Sequence, residues 1–254
     1  NASGQTYIYI AIRRGPMRVP TTGTRVFAPV VQASNSPTVI TTNFPVDLSW
    51  QRSSRASTNQ IYDFDRLRGN SAYLETTTVN AEQTFSGGWA FDSNVGVRDI
   101  SWSSANAIWW NFQRAPNFFD EVCYTGAGNG TVISHNLGVE PELAIFKGRS
   151  SGADWVVRAP GSGSNRYLLL NTTNAQADAS GWYSATSSQI TFSTSYAGTA
   201  TSGQTFVAYL FASAPGVSKV GSYTGTGTTQ TINCGFTGGA RFVMIKRTDS
   251  TGCL

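Results

Sequence analysis

The sequence is poor in charge, lysine, histidine and cysteine. Charged residues make up 13% of the chain, and the net charge of +4 comes mostly from scattered arginines. No dense basic block is present, so the sequence predicts no nucleic-acid partner. The three cysteines, Cys123, Cys234 and Cys253, are odd in number and lack CxxC spacing. They therefore predict neither a metal centre nor a disulfide framework, and they favour a reducing compartment during folding.

Long apolar runs are also missing. No segment approaches the roughly 18 apolar residues of a membrane span, so we predict no membrane insertion. Strong helix formers are scarce, whereas Thr, Val, Ile and aromatic residues are common, which favours strands over helices. The chain begins at Asn1 rather than Met, which indicates a processed product or part of a longer chain.

An internal repeat is the main signal in the sequence. Residues 108–151 align without a gap on residues 207–250, and IYIAIRRGP at 8–16 resembles VAYLFASAP at 207–215. Each of these strand-like segments ends in a Gly-Pro or Ala-Pro pair. The repeat length of about 100 residues predicts a division into a terminal strand of a preceding module, two full modules and a partial module. Their ranges are 1–16, 17–116, 117–215 and 216–254.

Each module has the pattern of short strands separated by Gly-rich turns. Apolar residues alternate at every second position in residues 7–13, 107–113 and 206–212, which is typical of half-buried strands. The sequence therefore predicts an all-β fold of tandem β-sandwich modules, either jelly-roll-like or Ig-like. Residues 217–250 should superpose on residues 118–151.

Several motifs together resemble a known family. They are YIYIAIRRGPM at 7–17, QIYDFDRLRGN at 60–70, FFDEVCYTG at 118–126, TVISHNLGVEPELAIFK at 131–147, YLLLNTT at 167–173, GQTFVAYLFA at 203–212 and TINCGF at 231–236. This series resembles a repeat family in tail-fibre and other virion-associated proteins of tailed phages, including marine and cyanobacterial phages. The resemblance implies a virion surface protein made in the host cytoplasm, which contacts other copies of itself or other virion proteins.

The polar residues predict no catalytic site, no metal site and no cofactor. His135, the only histidine, has Thr42 and Cys234 at the matching repeat positions, which favours a structural role in a turn. Asp63 and Asp65 lack the spacing of a calcium loop, and we expect weak surface ion pairs with Arg66 and Arg68 instead. The remaining carboxylates are too spread out to nominate an acid–base pair; they include Asp92, Asp99, Asp120 and Glu121.

Three aromatic residues are candidates for contact with a host glycan: Trp155, Trp182 and Tyr183. An exposed ring can stack on a sugar, so this role requires them to be solvent-exposed near a loop cluster. The alternative is that the tryptophans belong to the sandwich core, since tryptophan is heavily buried on average.

The two ends of the chain carry incomplete modules, and their apolar strand faces need partners. Further chain, docking within this chain, or strands from neighbouring copies would each provide them. We expect ordered terminal strands whose partners lie at least partly outside residues 17–215, in a longer parent chain within an assembly.

Three functions follow from these observations. The leading hypothesis is a non-enzymatic structural or adhesive component of a phage virion, in a tail fibre or surface appendage that acts in host attachment. The second is a glycan-binding module for receptor recognition, and the third is a polysaccharide depolymerase. A pair of carboxylates in a groove lined by tryptophan would favour the depolymerase.

Overall fold

The computed structural model describes residues 18–52, 60–160, 165–194 and 198–251. Within these ranges the regular elements comprise β-strands and a 3-10 turn at Gly23–Arg25, and none is an α-helix. The prediction of an all-β fold is confirmed. None of the described residues form a helix that is long and apolar enough to cross a membrane. The predicted terminal strand at 7–13 lies outside the described residues.

Two successive groups of nine strands account for this fold. The first group occupies residues 27–112. Its strands are β1 Phe27–Val31, β2 Thr38–Thr41, β3 Leu48–Arg52, β4 Ile61–Asp65, β5 Ala72–Glu75, β6 Gln83–Thr84, β7 Trp89–Ala90, β8 Gly96–Asp99 and β9 Ile108–Phe112. They form a six-stranded sheet in the order β1-β9-β3-β4-β5-β6 and a three-stranded sheet in the order β2-β8-β7.

The second group repeats this topology between residues 119 and 211. Its strands are β10 Phe119–Thr125, β11 Thr131–Ser134, β12 Leu143–Gly148, β13 Val156–Arg158, β14 Arg166–Leu169, β15 Ala177–Asp178, β16 Tyr183–Ala185, β17 Gln189–Phe192 and β18 Thr205–Phe211. The sheet orders are β10-β18-β12-β13-β14-β15 and β11-β17-β16. The strands predicted at 107–113 and 206–212 are thus confirmed as β9 and β18, whereas the module boundaries at 116 and 215 stay a prediction.

The strand register is the same in the two groups. The last strand of each group lies between its first and third strands and is antiparallel to both of them. Phe112 of β9 pairs with Phe27 and Leu48, and Phe211 of β18 pairs with the matching Phe119 and Leu143. Each group therefore closes only when its last strand has formed, because that strand hydrogen-bonds both neighbours.

The sheets stack in four layers around three apolar cores. In each group the small sheet covers one face of the large sheet and encloses a core of its own. The outer faces of the two large sheets pack on each other and enclose a third core. The expectation of half-buried strands is wrong for β18, where residues 206–210 are all fully buried. Alternate side chains of β18 enter different cores, so both of its faces are apolar.

The partial third repeat does not form the expected strands. Residues 216–251 contain no strand, although their sequence matches residues 117–152. In the second group, β10 and β12 never pair with each other, because β18 lies between them. The described part of the third repeat has counterparts of β10 and β12 but none of β18. Without that central strand, the backbone groups of both segments lack their ladder partners.

Candidate functional site

A buried polar network lies where the two large sheets meet. Strand β4 alternates, so that Tyr62 and Phe64 enter the first group's own core. Asp63 and Asp65 therefore point to the opposite face, towards the second large sheet. Both carboxylates are fully buried. We refer to Asp63, Asp65, Arg68 and Tyr209 as the seam.

Arg68 neutralises part of this charge from the turn that follows β4. Its backbone N–H donates to Asp65 Oδ1 at 2.8 Å, which places the guanidinium beside both carboxylates. The guanidinium then forms ion pairs with Asp63 and Asp65, and its side chain is as buried as theirs. The expected pairing of Arg68 is confirmed, but the expectation of a weak surface pair is wrong. Arg66 instead pairs with Asp47, 3.1 Å away.

Tyr209 brings the second group into the network. It lies on β18, and its hydroxyl oxygen is 2.6 Å from Asp63 Oδ1 and 2.7 Å from Asp65 Oδ2. The single hydroxyl proton can be donated to one carboxylate at a time, while Arg68 Nη2 donates to the hydroxyl oxygen at 3.2 Å. One tyrosine therefore links the two strand groups through contacts between residues that are far apart in sequence.

Burial controls the protonation of the seam. The pKa of Asp63 is raised to about 6, first because burial disfavours the carboxylate and also because Asp65 is close. Arg68 and the hydrogen bonds from Tyr209 and Trp50 act in the opposite direction. Trp50 Nε1 donates to Asp63 Oδ2 at 2.7 Å. Each oxygen of Asp63 thus has a donor, which is what a buried carboxylate requires.

Glu121 adds a third carboxyl group beside the seam. It lies on β10 directly opposite Tyr209 and is fully buried. Neither of its oxygens has a hydrogen-bond partner. Burial raises its pKa well above the usual value, and Asp65 and Asp47 raise it further. Burial therefore favours the neutral acid form of Glu121, because an ionised carboxylate here would have no donor.

The rim of the seam also joins the two groups. Arg149 binds Glu82 through two nitrogen–oxygen contacts of 2.8 and 2.9 Å. Lys147 is buried and donates to the carbonyl oxygens of Val79 and Ala153. Burial lowers the pKa of Lys147 to about 8. The loop after β5 is thus held by side chains of the second group.

The seam contains the groups of an acid–base site, but a substrate has no access to them. The carboxylates, the guanidinium and the phenol are all within hydrogen-bonding distance, yet each side chain is enclosed between two sheets. A substrate cannot reach them without separation of the sheets. The arrangement fixes how the two large sheets are aligned, because each polar group finds its partner in one relative position.

The three aromatic residues predicted to contact a glycan are not exposed. Trp155 and Trp182 have no exposed surface and Tyr183 is 5% exposed, so the expectation of exposure is wrong for all three. Trp155 packs in the core between the large sheets, where its Nε1 donates to the Glu75 carbonyl at 2.9 Å. Trp182 and Tyr183 lie in the second group's own core. A ring enclosed by protein cannot stack on a sugar.

His135 has the structural role expected of it. Its Nδ1 accepts a hydrogen bond from the backbone N–H of Leu137, two residues further on. At the matching position, Thr42 Oγ1 accepts from the N–H of Phe44 in the same way. Burial lowers the pKa of His135, which favours its neutral form. The two side chains thus stabilise equivalent turns.

The other carboxylates named in the sequence analysis each contact different partners. Asp92 pairs with Arg98 on the surface, and Asp120 pairs with Arg114. Asp99 is buried and accepts from Gln32 and Ser103. Among the described residues, no group of three His, Cys, Asp or Glu side chains is arranged to hold a metal ion.

Sequence reasoning found Asp63, Asp65 and Arg68 but missed Tyr209, Glu121 and Trp50. The available signal was a pair of acids on an otherwise apolar strand, which is unusual unless the acids are partnered. The partner on β18 lies 146 residues away in sequence, beyond the reach of local patterns.

Comparison with known proteins gives a family but no function. Neither the curated proteins nor the solved structures include a match to this chain. One family model, described as a domain of unknown function (DUF7483), matches residues 114–253. This range includes the whole second strand group and the described part of the third repeat. It covers more than half of the 254 residues, and the chain therefore belongs to the DUF7483 family.

Proposed function

We propose that the chain is a non-enzymatic structural or adhesive component of a phage virion, in a tail fibre or another surface appendage. The observation that carries the proposal is the shared core between the two large sheets, closed by the seam. Repeated units that share a core resist bending relative to each other, because bending would expose apolar area and break the hydrogen bonds between Tyr209 and the buried carboxylates. An appendage that transmits contact with a host requires this stiffness.

The motif series that resembles phage tail-fibre proteins supports the same role. Several of its residues lie where the two strand groups contact each other: Asp63 and Arg68 in the seam, Lys147 at its rim and Tyr209 on β18. The motifs thus include the contacts that join one repeat to the next. We further propose that the partners are other copies of this chain or other virion proteins, and that the chain resides on the particle surface.

The depolymerase alternative would need two carboxylates open to a polysaccharide. Asp63 and Asp65, whose carboxylates both contact the Tyr209 hydroxyl, are sealed between two sheets. The glycan-binding alternative depended on Trp155, Trp182 and Tyr183, which are buried. No specific observation favours either alternative over a structural role.

Labelling of intact virions tests the proposed function. Antibodies against the folded chain should bind purified particles, and electron microscopy should place the label on the tail or its fibres. Peptides of the chain should also remain with the particles through a density gradient. Recovery only in the soluble fraction of the lysate would contradict a virion role, and so would release of reducing sugar from host polysaccharide by the pure chain.

A further inference from the structure

The third repeat exposes residues whose counterparts form a core. Val243, Met244 and Ile245 are 64%, 40% and 52% exposed. The matching residues of β12 in the second group are Ala144, Ile145 and Phe146, which are 0%, 0% and 1% exposed. Tyr223 and Ile232 are exposed as well, whereas Ile133, which matches Ile232, is buried. Five apolar residues in this segment are thus exposed, and four of them match residues that are buried in the second group.

The missing cover is a strand of the β18 kind. In both complete groups the last strand pairs with the first and the third. Residues 218–224 and 242–247 match the first and third strands, β10 and β12, at a constant offset of 99. The sequence contains one further copy of the last strand, at residues 6–12, where SGQTYIYIAI at 3–12 aligns with SGQTFVAYLF at 202–211. The sequence thus contains three copies each of the first, third and last strands, and two of these sets form the two strand groups. The unmatched set consists of residues 6–12, 218–224 and 242–247.

The described structure places the unmatched set next to the start of the first group. Arg241 Nη2 donates to the carbonyl oxygen of Phe27 at 2.8 Å. The ring centroid of Phe242 lies 5.8 Å from that of Phe27, and a Cβ atom added to Gly23 would lie 3.8 Å from the carbonyl oxygen of Val217. The two segments that need a central strand therefore begin beside the residues that follow 6–12 in the chain.

We propose that residues 6–12 of the same chain insert between residues 218–224 and 242–247 and complete a third sandwich. These donor residues lie outside the described residues. The eleven residue steps from Ile12 to Gly23 can span about 36 Å when extended. Val217 and Arg241, which immediately precede the two receiving segments, each have an atom 3.8 Å from a Cβ position built on Gly23. The occupant is thus a segment of this chain, held close to its site by the first group. This inference is independent of the proposed virion role.

The pairing register follows from the second group. Ile145 pairs with Tyr209, and Tyr124 pairs with Phe206. Transferred to the third repeat, Ile10 lies opposite Met244, and Tyr7 lies opposite Tyr223. The inserted side chains Ile8, Ile10 and Ile12 share one face of the strand. A one-residue shift would direct them to the other face, so the register is specific.

Disulfide trapping tests this register directly. In the full chain with its three cysteines changed to serine, the pair Ile10→Cys and Met244→Cys should form an intramolecular disulfide under mild oxidation. The control pair, Tyr9→Cys with Met244→Cys, places the two thiols on opposite faces and should link at least tenfold less. Equal linking of both pairs, or a disulfide found only between two molecules, would overturn the proposal. The latter outcome would identify a second copy as the occupant.

Hydrogen exchange provides a second measurement that does not depend on cysteine chemistry. Backbone amides of residues 242–247 should exchange slowly in the unmodified chain. Ile10→Pro removes a backbone donor from the inserted strand, so exchange there should become at least tenfold faster. Asn1→Pro, outside the inserted segment, is the control and should change nothing. Fast exchange in the unmodified chain, or slow exchange that Ile10→Pro leaves intact, would contradict the inference.

Discussion

Removal of one hydroxyl group, by Tyr209→Phe, should weaken the connection between the two strand groups. The hydroxyl contacts both seam carboxylates at 2.6 and 2.7 Å and accepts from Arg68. A hydrogen bond to a charged group contributes about 1.5–3 kcal/mol. Phenylalanine fills the same space without the oxygen, so no cavity adds to the loss. We expect a fall of about 2–3 kcal/mol in the free energy of unfolding at pH 7.

Tyr124→Phe is the matched control for this prediction. The hydroxyl of Tyr124 donates to the carbonyl of Thr199 within the second group, away from the seam. Loss of that neutral hydrogen bond should cost about 1 kcal/mol. Urea denaturation, followed by tryptophan fluorescence, measures both variants.

The dependence on pH separates a seam effect from a general loss of packing. The hydrogen bond from Tyr209 lowers the pKa of Asp63 and so favours its ionised form. Without this hydrogen bond, the pKa of Asp63 should rise above its present value of about 6. The cost of Tyr209→Phe should therefore be larger at pH 8, where Asp63 is ionised, than at pH 5. Equal costs at the two pH values, no greater than that of Tyr124→Phe, would refute the assigned role of the seam.

Three further substitutions test separate parts of the structure. Glu121 has a raised pKa, so its contribution to stability is present at acidic pH and is lost as pH rises. Glu121→Gln should therefore reduce the fall in stability between pH 5 and pH 8. An unchanged pH profile would show that Glu121 is ionised in the folded chain. His135→Thr should cost no more than about 1 kcal/mol in urea denaturation, because Thr42 accepts the same turn hydrogen bond; a loss several times larger would mean that the turns are not equivalent. Gly126→Ala should lower the melting temperature by an amount equivalent to about 1–3 kcal/mol, because the new Cβ would lie 2.3 Å from a backbone carbonyl oxygen. Gly221→Ala is the control: its new Cβ would meet nothing within 4 Å, so the substitution should be neutral.

The strands were predictable because the repeat and the alternation agree. Residues 108–112 and 205–211 share a register that the gapless alignment had implied. The alternation of apolar residues did not indicate that both faces of these strands are buried. In β18 the residues between the large ones, such as Ala208 and Leu210, are apolar too. A strand buried on both faces has this composition, and the packing of one large sheet on the other depends on surfaces far apart in sequence.

The polar network was predictable only in its local part. Asp65 and Arg68 are three residues apart, so their pairing follows from proximity. Their burial does not, because it depends on Tyr209 from the second group. The expectation that Trp155 is exposed is wrong for a similar reason. Its neighbours Gly152 and Asp154 resemble an exposed loop, but its ring is covered by the first group, where Glu75 accepts its N–H.

The central claim is that the shared core and the seam make the two strand groups one cooperative unit. Differential scanning calorimetry of the full chain tests it most directly, through the ratio of the calorimetric to the van't Hoff enthalpy of unfolding. We predict a single transition with a ratio close to one, because unfolding of either group exposes the core of both. Two resolved transitions, or one broad transition with a calorimetric enthalpy about twice the van't Hoff value, would contradict the account.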